Sequence, residues 1–400
     1  MANNNKHTGP NVPALRFPEF SGEWKTFQLS DLAAYSKERV KMEILSSDNY
    51  VSTENMQQDF AGIKDAISLP SSGTAVEFQV GDILISNIRP YLKKIWLSDR
   101  NGGCSTDVLA LRAKNEKVDS SFLYCRLAND DFVSYAMSGA KGVKMPRGDK
   151  QHILSYNLGV PSVQEQRRIA KLVSLLEKRI SAQSKIIEEL KTLRGALNES
   201  LYCCCESYQE LSFNDVGVSY SGLSGKSGND FGSGYPFIPY TNIFTNNIID
   251  EGQLEYVQVS EDESQNSVCF GDLLMTLSSE TPEEVGIGAV YLGHESPLYL
   301  NSFAFGIHIT RTDLVYPPYL SWLVSTNSFR KFILPYAQGS TRYNLQKTEF
   351  MKAKYRFPTL ERQKAISVLL SGYSSKIENE ERVLNKYTAL KQGLIEQLFI

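Results

Sequence analysis

Three short segments carry residue types that do chemistry in other settings, and each lacks something the chemistry needs. Tyr316-Pro-Pro-Tyr319 has the layout of the Asp/Asn-Pro-Pro-Tyr signature that holds a target amino group in adenine methyltransferases. A tyrosine at the first position has no carbonyl to accept from the amine, and no glycine-rich cofactor turn follows a strand elsewhere. The double proline reads as the start of the helix Tyr319-Leu-Ser-Trp-Leu-Val. Gly225-Lys226-Ser227 misses a phosphate-binding loop because Tyr220 stands where the earlier glycine is required, so a flexible loop is expected. Glu189-Leu-Lys191 has a nuclease-like spacing but lies in a helical stretch without an upstream metal-binding aspartate, which reads as a solvated helix face. Histidines at 7, 152, 294 and 308 have no metal-ligand spacing, and cysteines at 104, 125, 203, 204, 205 and 269 form no CxxC pair. Neither a zinc site nor a disulfide framework is expected from them. Cys203-Cys204-Cys205 is expected to be buried or half-buried at a domain junction. The chain therefore reads as one that binds, with no catalytic residue and no metal of its own.

The remaining chemistry is charge and hydrogen bonding in loops. Net charge is only -3, which at this coarse scale argues against a nucleic-acid partner. The distribution is uneven, however: between Glu206 and Leu300 fifteen acidic residues face Lys226 alone, whereas Arg330 to Arg356 holds seven basic residues against Glu349. Smaller basic clusters, Arg89, Lys93, Lys94 and Lys141, Lys144, Arg147, Lys150, lie in loop-like sequence of the first half. Lysine and arginine in such loops neutralise phosphates, and Arg, Asn and Gln pair with base edges in the major groove. The candidate DNA-contacting residues are Asn87, Arg89, Tyr91, Lys93, Lys144 and Arg147 in the first half, and Ser278, Ser279, Ser340, Thr341, Arg342 and Asn344 in the second. The acidic stretch 206–300 is either a solvent face turned from DNA or a dock for a basic partner surface.

These loops must be positioned by something, and the chain supplies it twice. Residues 161–202 align without a gap to 358–399 at an offset of 197, with ten identities that include Pro161/Pro358, Gln166/Gln363, Ile169/Ile366, Leu193/Leu390 and Leu201/Leu398. The same offset matches Leu123/Leu320, Phe132/Phe329 and Gly142/Gly339, and looser matches join Gly81-Asp82-Ile-Leu to Gly271-Asp272-Leu-Leu and Thr53-Glu-Asn-Met56 to Tyr240-Thr-Asn-Ile243. Each repeat begins with about 150 residues of short β-type runs and turn residues, read as mixed α/β. Each ends in a segment of about 40 residues whose apolar positions recur at three-four spacing, starting at Ile169 and Leu172 in one copy and Ile366 in the other. Gln183 and Glu380 interrupt the two stripes at the same point of the repeat. Two such helices bury little alone and are expected to pair antiparallel, with Gln183 and Glu380 as one polar layer. A helix of this length spans roughly 55 Å and would hold two domains against DNA patches about one helical turn, roughly 34–36 Å, apart.

At 400 residues, 42% hydrophobic and 22% charged, the chain has the composition of a folded two- or three-domain protein. No stretch is apolar enough to span a membrane, residues 1–13 lack a secretory apolar core and are expected to be disordered, and a cytoplasmic location follows as an expectation.

The order of globular domain, Pro161-Ser-Val-Gln-Glu165-Gln166-Arg-Arg-Ile169 helix, second domain and second helix resembles the DNA-specificity subunit of type I restriction-modification enzymes. The two Gly-Asp-[Ile/Leu]-Leu segments and the opening Leu15-Arg-Phe-Pro-Glu-Phe-Ser-Gly-Glu-Trp24 carry the likeness across essentially the whole chain. The resemblance implies an α+β chain with two pseudo-repeated mixed α/β target-recognition domains separated by two long helices packed as an antiparallel coiled coil. The implied layout is 1–160 and 203–357 as recognition domains, with 161–202 and 358–400 as helical spacers. It implies that double-stranded DNA is read as a bipartite site, and that two methyltransferase (modification) subunits and restriction (motor-nuclease) subunits are partners. S-adenosylmethionine, ATP and Mg would then sit on those partners and not on this chain. Glu165, Gln166, Ile169, Leu172, Gln183, Gln363, Ile366 and Glu380 become candidates for the helix spacer and partner interface. Arg362 stands where the first copy has Glu165, so that contact differs between the copies. A non-catalytic coiled-coil adaptor with two protein-binding domains is the competing reading.

Overall fold

A computed structural model describes residues 11–114 and 116–399. Most of the segment expected to be disordered, 1–10, lies outside the described residues. From Asn11 onward the chain is tied down: the Trp24 backbone N–H donates to the Asn11 carbonyl at 2.7 Å. The fold separates into two compact units, residues 1–183 with 383–400, and residues 184–382. Each contains one globular domain and a part of both long helices, Val163–Cys203 and Leu360–Leu398.

The helices begin as their sequence dictates. Ser162 and Thr359 hydroxyls accept from the backbone N–H of Glu165 and Arg362, which satisfies donors that the first turn leaves orphaned. Within the first unit Lys391 pairs with Glu177 at 2.7 Å and the Arg179 guanidinium lies 5.4 Å from the Tyr387 ring. Within the second, Lys191 pairs with Glu381 at 2.7 Å and Arg194 donates to Ser374 at 2.8 Å. Partners advance along one helix as they retreat along the other, so the two segments run antiparallel in both units. Ile169 and Val173 bury against the first domain's core, and Ile366 and Leu370 against the second's. The end of the chain closes the first domain: Phe399 meets Phe122 edge-on at 5.8 Å, and the Leu15 backbone N–H donates to the Gln397 carbonyl.

Both domains have the same sheet. In the first its order is Ala33–Tyr35, Val108–Ala113, Ile83–Ser86, Ile95–Leu97; in the second it is Gly217–Ser221, Ala304–Ile309, Leu273–Thr276, Gly288–Val290. The register also matches, with Ile83 opposite Leu111 and Leu273 opposite Ile307. All four residues of Ile83–Ser86 and of Leu273–Thr276 are buried, as the apolar runs require. A short antiparallel strand pair closes each domain onto its helix, Lys25–Gln28 with Asn157–Val160 and Tyr208–Ser212 with Lys354–Pro358. Asn55 and Asn242, matched in the two copies, are both buried and hydrogen-bond to backbone carbonyls of Lys64 and Asp250. No helix among the described residues is long and apolar enough to cross a membrane.

Two sequence expectations change here. Cys203 and Cys204 are exposed and Cys205 is half-buried, because Tyr202 and Cys205 are the residues here that pack on the second domain's core while Cys203 and Cys204 stand out from it. The Gly225–Ser227 segment is anchored: the Lys226 side chain is 7% exposed and its ammonium pairs with Glu263 at 2.5 Å.

Candidate nucleic-acid interface

In the first domain the two candidate loops come together. Ile88 and Arg147 form an antiparallel bridge, and the Arg89 backbone N–H donates to the Pro146 carbonyl at 2.8 Å. Lys141 and Arg147 exchange two backbone hydrogen bonds of 2.9 Å, which closes a narrow hairpin whose tip is Gly142-Val143-Lys144-Met145. Val143 is fully exposed and Met145 about half exposed, an unusual state for apolar side chains beside a basic residue. Arg89 and Lys93 take left-handed backbone angles with φ of 50° and 55°, so the loop between them is tightly turned. Arg89, Tyr91, Lys144 and Arg147 are exposed. Arg147 also pairs with Asp107 at 3.3 Å.

Other candidates in this domain face inward. The Asn87 side-chain oxygen is buried beneath the hairpin with no hydrogen-bond partner among the described residues. Lys93 pairs with Asp130 at 2.7 Å, and that bond raises its already basic pKa.

In the second domain, Ser278–Ser279 pairs with Asn344 and Tyr343, and Ala337–Gln338 pairs with Leu345 and Asn344 on the other side. The turn between needs Gly339, whose φ of 153° and 2.0 Å approach of a hypothetical Cβ to the Arg342 carbonyl leave no room for a side chain. Ser340, Thr341, Arg342 and Asn344 are exposed. The Arg342 guanidinium lies 5.5 Å from the Phe303 ring. Beside it opens a cleft of about 710 Å³ lined by the Tyr240–Phe244 stack, Phe303, Thr341 and the carboxylates Glu280 and Glu284. Ser278 is buried, and the Ser279 hydroxyl donates to Glu284 at 2.7 Å, so both build the cleft wall. Tyr240, Phe244 and Glu280 are not among the sequence candidates, because their arrival at Arg342 depends on folding across about 60 to 100 residues of chain.

Not all of the basic run is surface. Arg330 is largely buried and donates to the carbonyls of Glu283, Val285 and Gly286, and burial lowers its pKa. Lys347 sits over the Phe305 ring at 5.2 Å.

The helix-start residues have a structural answer. Gln166 is fully buried: its amide donates to the Lys117 and Pro161 carbonyls, and its oxygen accepts from the Asp119 N–H. Gln363 repeats this with Leu314, Pro358 and Tyr316, each 197 positions on. Glu165 is 1% exposed and takes a two-pronged contact from Arg16, with both N–O distances 2.8 Å, plus the Trp24 indole N–H. Glu165 and Gln166 clamp helix to domain in the first unit and Gln363 does so in the second, and all three are too buried to meet a partner subunit. Ile169 and Ile366 are buried, Leu172 is partly buried, Gln183 is 3% exposed, and Glu380 pairs with Lys376 at 3.7 Å.

Two domains of one topology, each clamped by a buried glutamine to a long helix and each presenting an arginine-bearing hairpin, define a duplicated binding protein. Residues 21–192 match the family described as the Type I restriction modification DNA specificity domain. The whole chain is similar to the type I restriction enzyme MjaVIII specificity subunit of Methanocaldococcus jannaschii, 22% identical over 96% of this chain and 93% of that one. Its fold is similar to the type I restriction-modification S subunit from M. genitalium, with a TM-score of 0.57 at 15% identity, covering 97% and 99% of the two chains. A chain from a structure of type I R-M complex assembly and conformational transition has a TM-score of 0.60 at 16% identity over 94% and 97%. Residues 21–192 thus carry the match to the specificity-domain family, and over nearly its whole length the chain is similar to a type I restriction enzyme specificity subunit.

Proposed function

We propose that each globular domain reads one half of a bipartite double-stranded DNA site and that the chain directs partner subunits to that site. The observation that carries this reading is the matched hairpin in the two domains, Lys141–Arg147 and Gln338–Asn344, each resting on the loop that leaves the buried central strand. Arg342 offers a bidentate donor for guanine, and Glu280 and Glu284 beside it offer acceptors for an exocyclic amine. Arg89, Lys144 and Arg147 supply the phosphate or base donors of the first half.

The chemistry in this reading belongs to the partners: methyltransferase subunits that use S-adenosylmethionine to modify adenine, and motor-nuclease subunits that use ATP and Mg to cut unmodified DNA in the cytoplasm. Support for two copies of one partner comes from Leu193 and Leu390, matched positions that are 50% and 49% exposed on their helices. Co-expression with methyltransferase subunits, followed by mapping of methylated bases genome-wide, tests the proposal. It predicts one split site with a fixed gap; methylation without a bipartite consensus, or no binding to any duplex, would overturn it.

A further inference from the structure

In both domains a Gly-Asp turn sets a buried carboxylate beside the strand that pairs with the central strand. Asp82 and Asp272 are 2% and 0% exposed. In the first domain the charge is met by Arg112, whose Nε and Nη2 lie 3.0 and 2.9 Å from the two Asp82 oxygens. Arg112 directly follows Leu111, the partner of Ile83, and His308 directly follows Ile307, the partner of Leu273. His308 therefore occupies the position of Arg112, with its Nδ1 2.7 Å from Asp272 Oδ1. A second exchange accompanies the first. Gln79 donates its backbone N–H to Asp82 at 2.9 Å, and the residue doing this for Asp272, also at 2.9 Å, is Cys269.

The second domain has thus lost the fixed guanidinium charge over its buried carboxylate and gained two ligand-bearing side chains around it. One ligand atom each from Cys269, Asp272 and His308 lies within 4.8 Å of the others, close enough for modest side-chain rotation to bring all three onto one ion. Asp272 Oδ2 is held by the Cys269 N–H and by the Tyr220 hydroxyl at 2.5 Å, which leaves Oδ1 directed to the imidazole. Cys269 is exposed and His308 is 48% exposed, so an ion has a path from solvent.

We propose that Cys269, Asp272 and His308 form a site for a borderline divalent ion of the zinc class, bound through one sulfur, one oxygen and one nitrogen. The donor set suits zinc and excludes the all-oxygen preference of magnesium and calcium. The ion supplies the positive charge that Arg112 supplies in the first domain. Binding releases the Cys269 thiol proton to solvent, so uptake weakens as pH falls. The Tyr220 hydroxyl is the outer partner that orients the carboxylate.

Cobalt(II) added to the full chain, with Cys203, Cys204 and Cys205 replaced by serine to remove the exposed thiols, tests the site. One equivalent should give the visible bands of a four-coordinate ion and a near-ultraviolet thiolate charge-transfer band, and zinc should bleach both. Tyr220→Phe should weaken zinc binding by roughly 10–100-fold, and His308→Arg, which copies the first domain, by more than that. Cys269→Ser should abolish the charge-transfer band. His308→Arg should remain folded by circular dichroism without metal; if it does not, Cys269→Ala decides. Absence of the cobalt spectrum, or its survival in Cys269→Ala, would overturn the proposal.

Discussion

Arg330 and Arg342 belong to the same basic run and do opposite work. Arg330 spends its donors on three carbonyls of its own domain, while Arg342 stands exposed at the cleft rim against Phe303. Their substitutions should separate accordingly. Arg342→Ala is expected to cost about 1–3 kcal/mol at one half-site and to relax base preference there alone, measured by binding to duplexes varied in each half. Arg330→Met leaves those carbonyls unpaired beneath the surface and should lower domain stability by about 1–3 kcal/mol in denaturant titration, with sequence preference retained in the folded fraction. Counting charges along the chain makes the two arginines equal; only the packing of 283–286 against the helix Asn327–Ile333 tells them apart.

The elements were legible where the signal is local, and the joints between them were not. Three-four spacing and a Pro-Ser/Thr start define both long helices, and a gapless alignment with ten identities in 42 positions reveals the duplication. The repeat also singles out Gln166 and Gln363, although their role as clamps depends on carbonyls nearly 50 residues away. Arg16 on Glu165 is 149 residues distant, and no sequence pattern predicts it. Gln363→Leu removes three buried hydrogen bonds and leaves backbone groups without partners, so the second domain should lose about 2–4 kcal/mol, taking roughly 1–3 per unsatisfied group with partial relaxation. Chemical denaturation followed by tryptophan fluorescence from Trp322 reads this, and a loss below about 0.5 kcal/mol would refute the clamp. The Lys226 loop carries a pH signature instead. Hydrogen bonds from Lys226, Gln265 and the Ser260 backbone hold Glu263 at about 2, below its ordinary 4.5. A depressed carboxylate stabilises the fold above its ordinary pKa and ceases to as pH falls through the lower one. The loop should therefore resist proteolysis at pH 5 and open progressively between about pH 4.5 and 2, whereas Glu263→Gln should be insensitive over that range.

At the scale of the whole molecule, a net charge of -3 conceals an acidic half-domain, a basic hairpin in the first domain and a single exposed arginine on the hairpin of the second, and the binding behaviour should follow the local charges. Each phosphate neutralised contributes roughly -0.9 to the slope of log affinity against log salt. The exposed donors Arg89, Lys144, Arg147 and Arg342 are few, so the chain alone should show a shallow slope, on the order of -2 to -4, and weak binding at physiological salt. Partner subunits that add phosphate contacts should steepen it. The substitutions sort the contacts further: Lys144→Ala should reduce the slope by about 1 and weaken all duplexes alike, in contrast to the half-site effect of Arg342→Ala. In the proposed assembly with two methyltransferase copies, Leu193→Glu and Leu390→Glu, on matched helical positions, should each remove one copy, read by native mass measurement and by a correspondingly shallower slope. If the isolated chain already binds its site with the slope of the full assembly, the charge argument fails and this chain carries its own complete DNA footprint.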